Sequence, residues 1–170
     1  MIRVAILLAT AVLAAAASAA APVAVSPPDR LATSPDLAVG PDGSVHALWV
    51  DKGPRDAPAT PPPPGGGHPA NYDVVVASAA GGAGFGPPVR VNPVAGEVWA
   101  FPTSRPRLGV TATGSLHVFY TANAVSPANG KPVLAPRYQR STDGGRRFEP
   151  PRVLAAVPPG DLSAFMHGGY

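Results

Sequence analysis

The sequence predicts an all-β fold built from repeated four-stranded antiparallel sheets, and three observations carry that prediction. After an apolar N-terminal leader no window has a helical period, whereas short apolar runs alternate with turn-forming Gly, Pro and Asp. A longer stretch recurs: Pro35-Asp36-Leu37-Ala38-Val39-Gly40-Pro41-Asp42-Gly43-Ser44-Val45-His46 matches Pro106-Arg107-Leu108-Gly109-Val110-Thr111-Ala112-Thr113-Gly114-Ser115-Leu116-His117 at a constant offset of 71 (106 − 35). A glycine-rich turn recurs too, from Ser78 to Phe85 and from Ser141 to Phe148, at an offset of 63 (141 − 78).

The chain opens with Met1-Ile2-Arg3, an uncharged apolar run from Val4 to Ala16 and small residues through Ala21, which is the pattern of a secretory leader. Ala17-Ser18-Ala19 satisfies the small-x-small cleavage rule, and a cut after Ala21 would put Pro22 at a disfavoured first position. Residues 1–19 are therefore read as a signal peptide and 20–33 as a linker, with a secreted or periplasmic product that keeps no stable membrane insertion after cleavage. The alternative, an uncleaved anchor, draws on an apolar run approaching the roughly 18 residues that a span uses. No cysteine is available for a lipid anchor.

The first repeat unit covers 34–95, with strands at Leu37 to Val39, Val45 to Val50, Tyr72 to Ala77 and Val89 to Asn92. The second covers 96–159, with strands at Leu108 to Val110, Leu116 to Thr121, Arg137 to Arg140 and Arg152 to Leu154. Val45-His46-Ala47-Leu48-Trp49-Val50 is apolar at nearly every position, as suits a strand covered on both faces. Residues 160–170 start a third unit, because Gly160-Asp161-Leu162-Ser163-Ala164-Phe165 repeats Gly96-Glu97-Val98-Trp99-Ala100-Phe101. The first unit is 8 residues longer (71 − 63), and the excess lies in Asp51 to Asn71, where Pro61-Pro62-Pro63-Pro64-Gly65-Gly66-Gly67 reads as a solvated flexible loop. Four-stranded sheets of this length, stacked radially, make a β-propeller. The expected architecture is thus an incomplete β-propeller of two four-stranded antiparallel blades plus the start of a third. A six-bladed parent would need roughly twice this length or more. The missing blades come from a longer parent, the preferred reading, or from an oligomer.

Composition narrows the function. With Cys 0, an exported domain relies on burial and sheet hydrogen bonds rather than disulfides. Removing the leader takes Arg3 from 13 basic residues, leaving 12 against 10 acidic, a formal +2 that names no partner. Arg137, Arg140, Arg146, Arg147 and Arg152 are scattered without the aromatic interleaving of a stacking platform, so no nucleic-acid partner is expected. His46 and His117 lie 71 apart, with His68 and His167 in loops, so no short metal-ligand spacing exists and neither metal nor cofactor is expected. No Gly-x-Ser-x-Gly elbow is present.

Ser141-Thr142-Asp143-Gly144-Gly145-Arg146-Arg147-Phe148 reads Ser-x-Asp-x-Gly-x-x-aromatic, and Ser78-Ala79-Ala80-Gly81-Gly82-Ala83-Gly84-Phe85 is a degenerate copy with Ala80 in the aspartate position. Ser and Asp side chains bond nearby backbone, Gly takes positive φ and the aromatic anchors the turn, so Ser141, Asp143, Gly145 and Phe148 have structural roles. This motif resembles the Asp box (BNR repeat) of sialidase-like β-propellers. The resemblance covers about Ser34 to Phe165. It implies glycan or cell-surface ligand recognition, or alternatively exo-glycosidase activity of sialidase type; a structural or protein-binding propeller is the other reading.

In such a propeller the resemblance puts the binding site on the rim opposite the boxes. Here that rim holds Asp51 to Asn71, Pro93 to Ser104, Ala122 to Pro136 and Val157 to Gly169. The family's Arg-Ile-Pro arginine, a bidentate carboxylate ligand, falls on Thr33 or Ser104, and neither can do that work. Arg105 and Arg107 stand near the second copy but out of register, and are binding candidates together with Trp99, an aromatic expected in a rim connection. The family's acid/base aspartate corresponds by position to Asp51 or Asp56. Its tyrosine nucleophile and glutamate partner come from later blades, so a complete hydrolytic pair is not supplied.

Overall fold

Alternating apolar runs and glycine turns fold as expected into antiparallel strands, nine of them among residues 22–57, 72–100 and 104–156, which the computed structural model describes. The leader, the Pro/Gly insert and the start of a third unit lie outside the described residues. The first sheet is a four-stranded meander of β1 (Arg30–Val39), β2 (Val45–Pro54), β3 (Asp73–Ala79) and β4 (Val89–Arg90). The second comprises β5 (Val98–Trp99), β6 (Arg107–Val110), β7 (Leu116–Val125), β8 (Pro132–Ser141) and β9 (Arg152–Val153). All eight expected strands form, and β5 is an addition.

The sequence repeat is also a repeat of register. Leu37↔Ala47 and Val39↔Val45 in the first sheet become Leu108↔Val118 and Val110↔Leu116 in the second, each residue displaced by 71. β5 and β6 pair in succession along β7, Val98↔Ala122 and Trp99↔Thr121 preceding Arg107↔Phe119. Together they do what β1 does alone. In β1 only Ser34 and Pro35 separate the two pairing segments, with Ser34 at φ 52°, whereas seven residues, 100–106, separate β5 from β6. The second sheet thus has four rows like the first.

Several expected boundaries move. β1 begins at Arg30, inside the expected linker, and Asp51 to Pro54 belong to β2 rather than to a loop. The connection expected from Ala122 to Pro136 is mostly strand: β7 and β8 pair as far as Val125↔Pro132, leaving a short turn in which Ser126 N–H donates to Lys131 C=O at 2.8 Å. Sequence periodicity is weak there because Ala, Asn and Pro carry little strand preference, and pairing with the neighbouring strand decides the outcome.

The core lies between the sheets. Leu48, Val74 and Val76 of the first meet Leu116, Val118, Tyr120 and Ala122 of the second, with Val91 and Val98 closing the cluster. On the far side of the first sheet Ala47, Trp49, Val75 and Ala77 form a separate cluster, packed by Val25 and Phe85. The 71-residue offset equates Ala47 and Trp49 with Val118 and Tyr120. The face that the second sheet buries against the first is therefore the face that the first turns away. The packing is head-to-tail, and burial on both sides explains the unbroken apolar run of β2, where Leu48 and Val50 are 0% exposed.

Candidate functional site

The box beginning at Ser141 is built as its residues dictate. Ser141 Oγ donates to Asp143 Oδ1 at 2.9 Å and accepts from Gly145 N–H at 2.9 Å. Asp143 Oδ1 also accepts from Arg146 N–H and Arg147 N–H, both at 3.0 Å. Gly145 has φ 87°, and a Cβ there would stand 2.9 Å from Leu116 Cδ1, so both conformation and space require glycine. Phe148 packs against the inter-sheet core. Ser141, Asp143, Gly145 and Phe148 hold the turn and present no reacting group.

The upstream copy departs from its expected alignment. Val45↔Ala79 and Leu116↔Ser141 are corresponding pairs, so Ala79, not Ser78, occupies the Ser141 position. The turns are closed by Gly86 N–H to Ser78 C=O and by Glu149 N–H to Arg140 C=O, which makes the first turn one residue shorter. Ser78 points to the other face. Its Oγ donates to Gly144 C=O at 3.0 Å and lies 2.8 Å from His46 Nδ1, while His46 Nε2 lies 3.0 Å from Ser44 Oγ. Ser44 Oγ in turn donates to Asp42 Oδ1 at 2.6 Å. Burial holds His46 below the ordinary histidine value, partly offset by the Asp42 charge. This relay ties the two box-side turns together.

A groove of about 780 Å³ runs from the opposite strand ends, where Arg30, Asp51, Asp73 and Asn92 stand, past Arg90 to Phe148 and Glu149 on the trailing side of the box. Arg30 Nε donates to Asp51 Oδ2 at 2.6 Å and Gly53 N–H to Asp51 Oδ1 at 2.8 Å, so both carboxylate oxygens are engaged. The Asp51 hydrogen bond raises the Arg30 guanidinium further above its already high ordinary value. Asp51 and Asp73 are cross-strand neighbours, a like-charge pair that the Arg30 cation compensates. Asn92, 1% exposed, fixes the other end: its amide nitrogen donates to Asp73 Oδ1 and Val94 C=O, both at 2.7 Å, and its oxygen accepts from Val74 N–H at 2.8 Å. With Asn92 and Asp51 bonded within the protein, the groove offers a ligand the exposed Arg90 guanidinium as donor and the Glu149 carboxylate as acceptor, groups that can hydrogen-bond a hydroxylated ligand.

The sequence candidates are not all gathered here. Asp51 is in the groove, with its two oxygens bonded to Arg30 Nε and Gly53 N–H. Asp56 is exposed in the turn after β2. Trp99 is buried in β5 at 8% exposure, not displayed in a rim connection, because its strand pairs with β7; a buried indole gives no stacking face. Arg105 is exposed between β5 and β6. Arg107 lies on β6, where its Nε donates to Asp36 Oδ2 at 3.2 Å, and Leu108 N–H donates to the same oxygen at 2.9 Å. Arg30, Asp73, Arg90, Asn92 and Glu149 escaped sequence reasoning, because no spacing along the chain signals a groove made by strand pairing.

One of the arginines read as scattered, Arg152, lies in a cross-strand row with Arg107. Register aligns Arg107, Phe119, Tyr138 and Arg152 as one cross-strand row on the face of the second sheet turned away from the first, two adjacent aromatics flanked by two arginines. The rings of Phe119 and Tyr138 lie 5.1 Å apart, and Tyr138 Oη is 2.7 Å from His117 Nδ1. In comparisons with known proteins the chain matches no family model and no curated protein.

Proposed function

We propose that this chain is part of an exported, sialidase-like Asp-box propeller that recognises glycans or cell-surface ligands through the rim opposite the box. The observation that carries the reading is the head-to-tail packing of two sheets related by one register repeat, with a groove that reaches from the strand ends away from the box to Phe148 and Glu149. Two repeat-related sheets stacked in one sense are what a radial array is made from. The Arg30–Asp51 ion pair favours recognition over hydrolysis, since the aspartate closest to an acid/base position has both oxygens bonded.

A glycan array followed by calorimetry tests this. Binding should weaken roughly tenfold on Arg90→Ala, the loss of one charged hydrogen bond, with the fold unchanged. Turnover of a fluorogenic sialoside by the wild type would replace the reading with exo-glycosidase activity. Failure to bind any glycan by a folded protein would favour a structural or protein-binding role.

A further inference from the structure

The two outward faces of the sheet pair are not alike, and the repeat says how each relates to the interface already formed. Leu48 and Val76, buried where the first sheet meets the second, correspond through the strand register to Phe119 and Tyr138 on the second sheet's free face. Phe119 is 45% exposed there. Conversely Leu108, Val110, Val118 and Tyr120, which receive the first sheet, correspond to Leu37, Val39, Ala47 and Trp49 on the first sheet's outer face. Leu37 and Val39 are 64% and 68% exposed, although Leu108 and Val110 are packed against the core. Ala47 and Trp49 are themselves covered by Val25 and Phe85, at 6% and 4% exposure, so among the described residues the copies of the interface are open at Phe119 on one side and at Leu37 and Val39 on the other.

Size and charge match across the two halves. Ala47 replaces Val118, and an apolar groove of about 310 Å³ opens beside Leu37, Ala47, Trp49 and Val25. The complementary position has grown from Leu48 to Phe119, a larger knob for a larger hole. Position 36 of the first unit is Asp and its equivalent in the second is Arg107, which already pair inside the molecule. A second copy stacked in the same sense would bring Arg107 of one molecule to Asp36 of the next, so the alternation of charge continues across the junction.

We infer that copies of this chain associate head-to-tail, the Phe119–Tyr138 face of one seated on the Leu37–Trp49 groove of the next. Such a heterologous contact leaves a free face at each end of a pair, so it generates rings or open chains rather than stopping at two. Phe119→Asp disables one face and Leu37→Asp the other, and each residue is exposed enough that either variant should retain a cooperative melt. Light scattering with size-exclusion chromatography on the full chain should give the wild type a mass above twice 17.1 kDa, and each variant alone the monomer mass. An equimolar mixture of the two variants should give a one-to-one dimer and nothing larger. A wild type that stays monomeric to about 1 mM, an assembly that ends at a dimer, or a variant that associates alone would each overturn the inference.

Discussion

A single oxygen, Asp143 Oδ1, accepts three hydrogen bonds, from Ser141 Oγ, Arg146 N–H and Arg147 N–H. These hold its carboxyl below the usual aspartate range, the Arg147 amide contributing most and the Ser141 hydroxyl next. The sign follows from linkage. A folded-state value below the unfolded one gives stability that is present above the ordinary value near 3.9 and is lost as pH falls through the depressed value. Asp143→Ala should therefore lower the thermal midpoint at pH 7, and the gap from wild type should narrow at pH 2.5. A gap that does not change with pH would show that the charge is irrelevant to the turn. The degenerate copy marks the same boundary from the other side: with Ala79 at the Ser141 position, neither Ala80 nor Gly81 supplies a carboxylate, while Phe85 still packs on its sheet.

At the scale of strands, the ion pair between Arg137 on β8 and Glu97, just before β5, holds the first row of the second sheet to its third. Arg137 Nη1 donates to Glu97 Oε2 at 2.7 Å, with side-chain exposures of 14% and 7%. Glu97 Oε1 and Arg137 Nε are buried without hydrogen-bond partners, so desolvation is only partly offset. Nearby, burial and the Glu97 charge push the Tyr120 phenol up to about 12, and it remains neutral while donating to Gln139 Oε1 at 2.7 Å. Arg137→Met alone should cost about 3–5 kcal/mol by stranding Glu97, and adding Glu97→Leu should restore most of the loss. Denaturant melts of the four-member cycle measure the coupling; simple additivity would refute it.

Legibility in the sequence follows the range of each contact. The box could be read because its bonds span at most four residues, from Ser141 to Gly145 and from Asp143 to Arg147. The Arg30–Asp51 and Glu97–Arg137 pairs span 21 and 40 residues and rest on strand register, so neither partner announces the other. The one-residue slip of Ser78 was hidden because Ser78-Ala79-Ala80-Gly81-Gly82 offers small side chains in either alignment. β5 is two residues long, too short for any alternation to mark it.

For the whole molecule, the shared core predicts how it unfolds. Leu48, Val74 and Val76 from one sheet and Leu116, Val118 and Tyr120 from the other form one cluster, so opening it leaves the first sheet only the small cluster under Val25 and Phe85. Each sheet happens to carry its own reporter, Trp49 in β2 and Trp99 in β5, both buried. Trp99→Phe leaves fluorescence to the first sheet and Trp49→Phe leaves it to the second. In each variant the fluorescence transition in urea should coincide with that variant's own loss of β-sheet circular dichroism. Adding Leu48→Ala to either background should lower the midpoint seen by the remaining tryptophan, by a similar amount in each, for a cost of about 2–5 kcal/mol, because the cavity opens in the interface common to both sheets. A shift seen by Trp49 but not by Trp99 would mean that the sheets are separately stable, and the common core would then be packing without cooperativity.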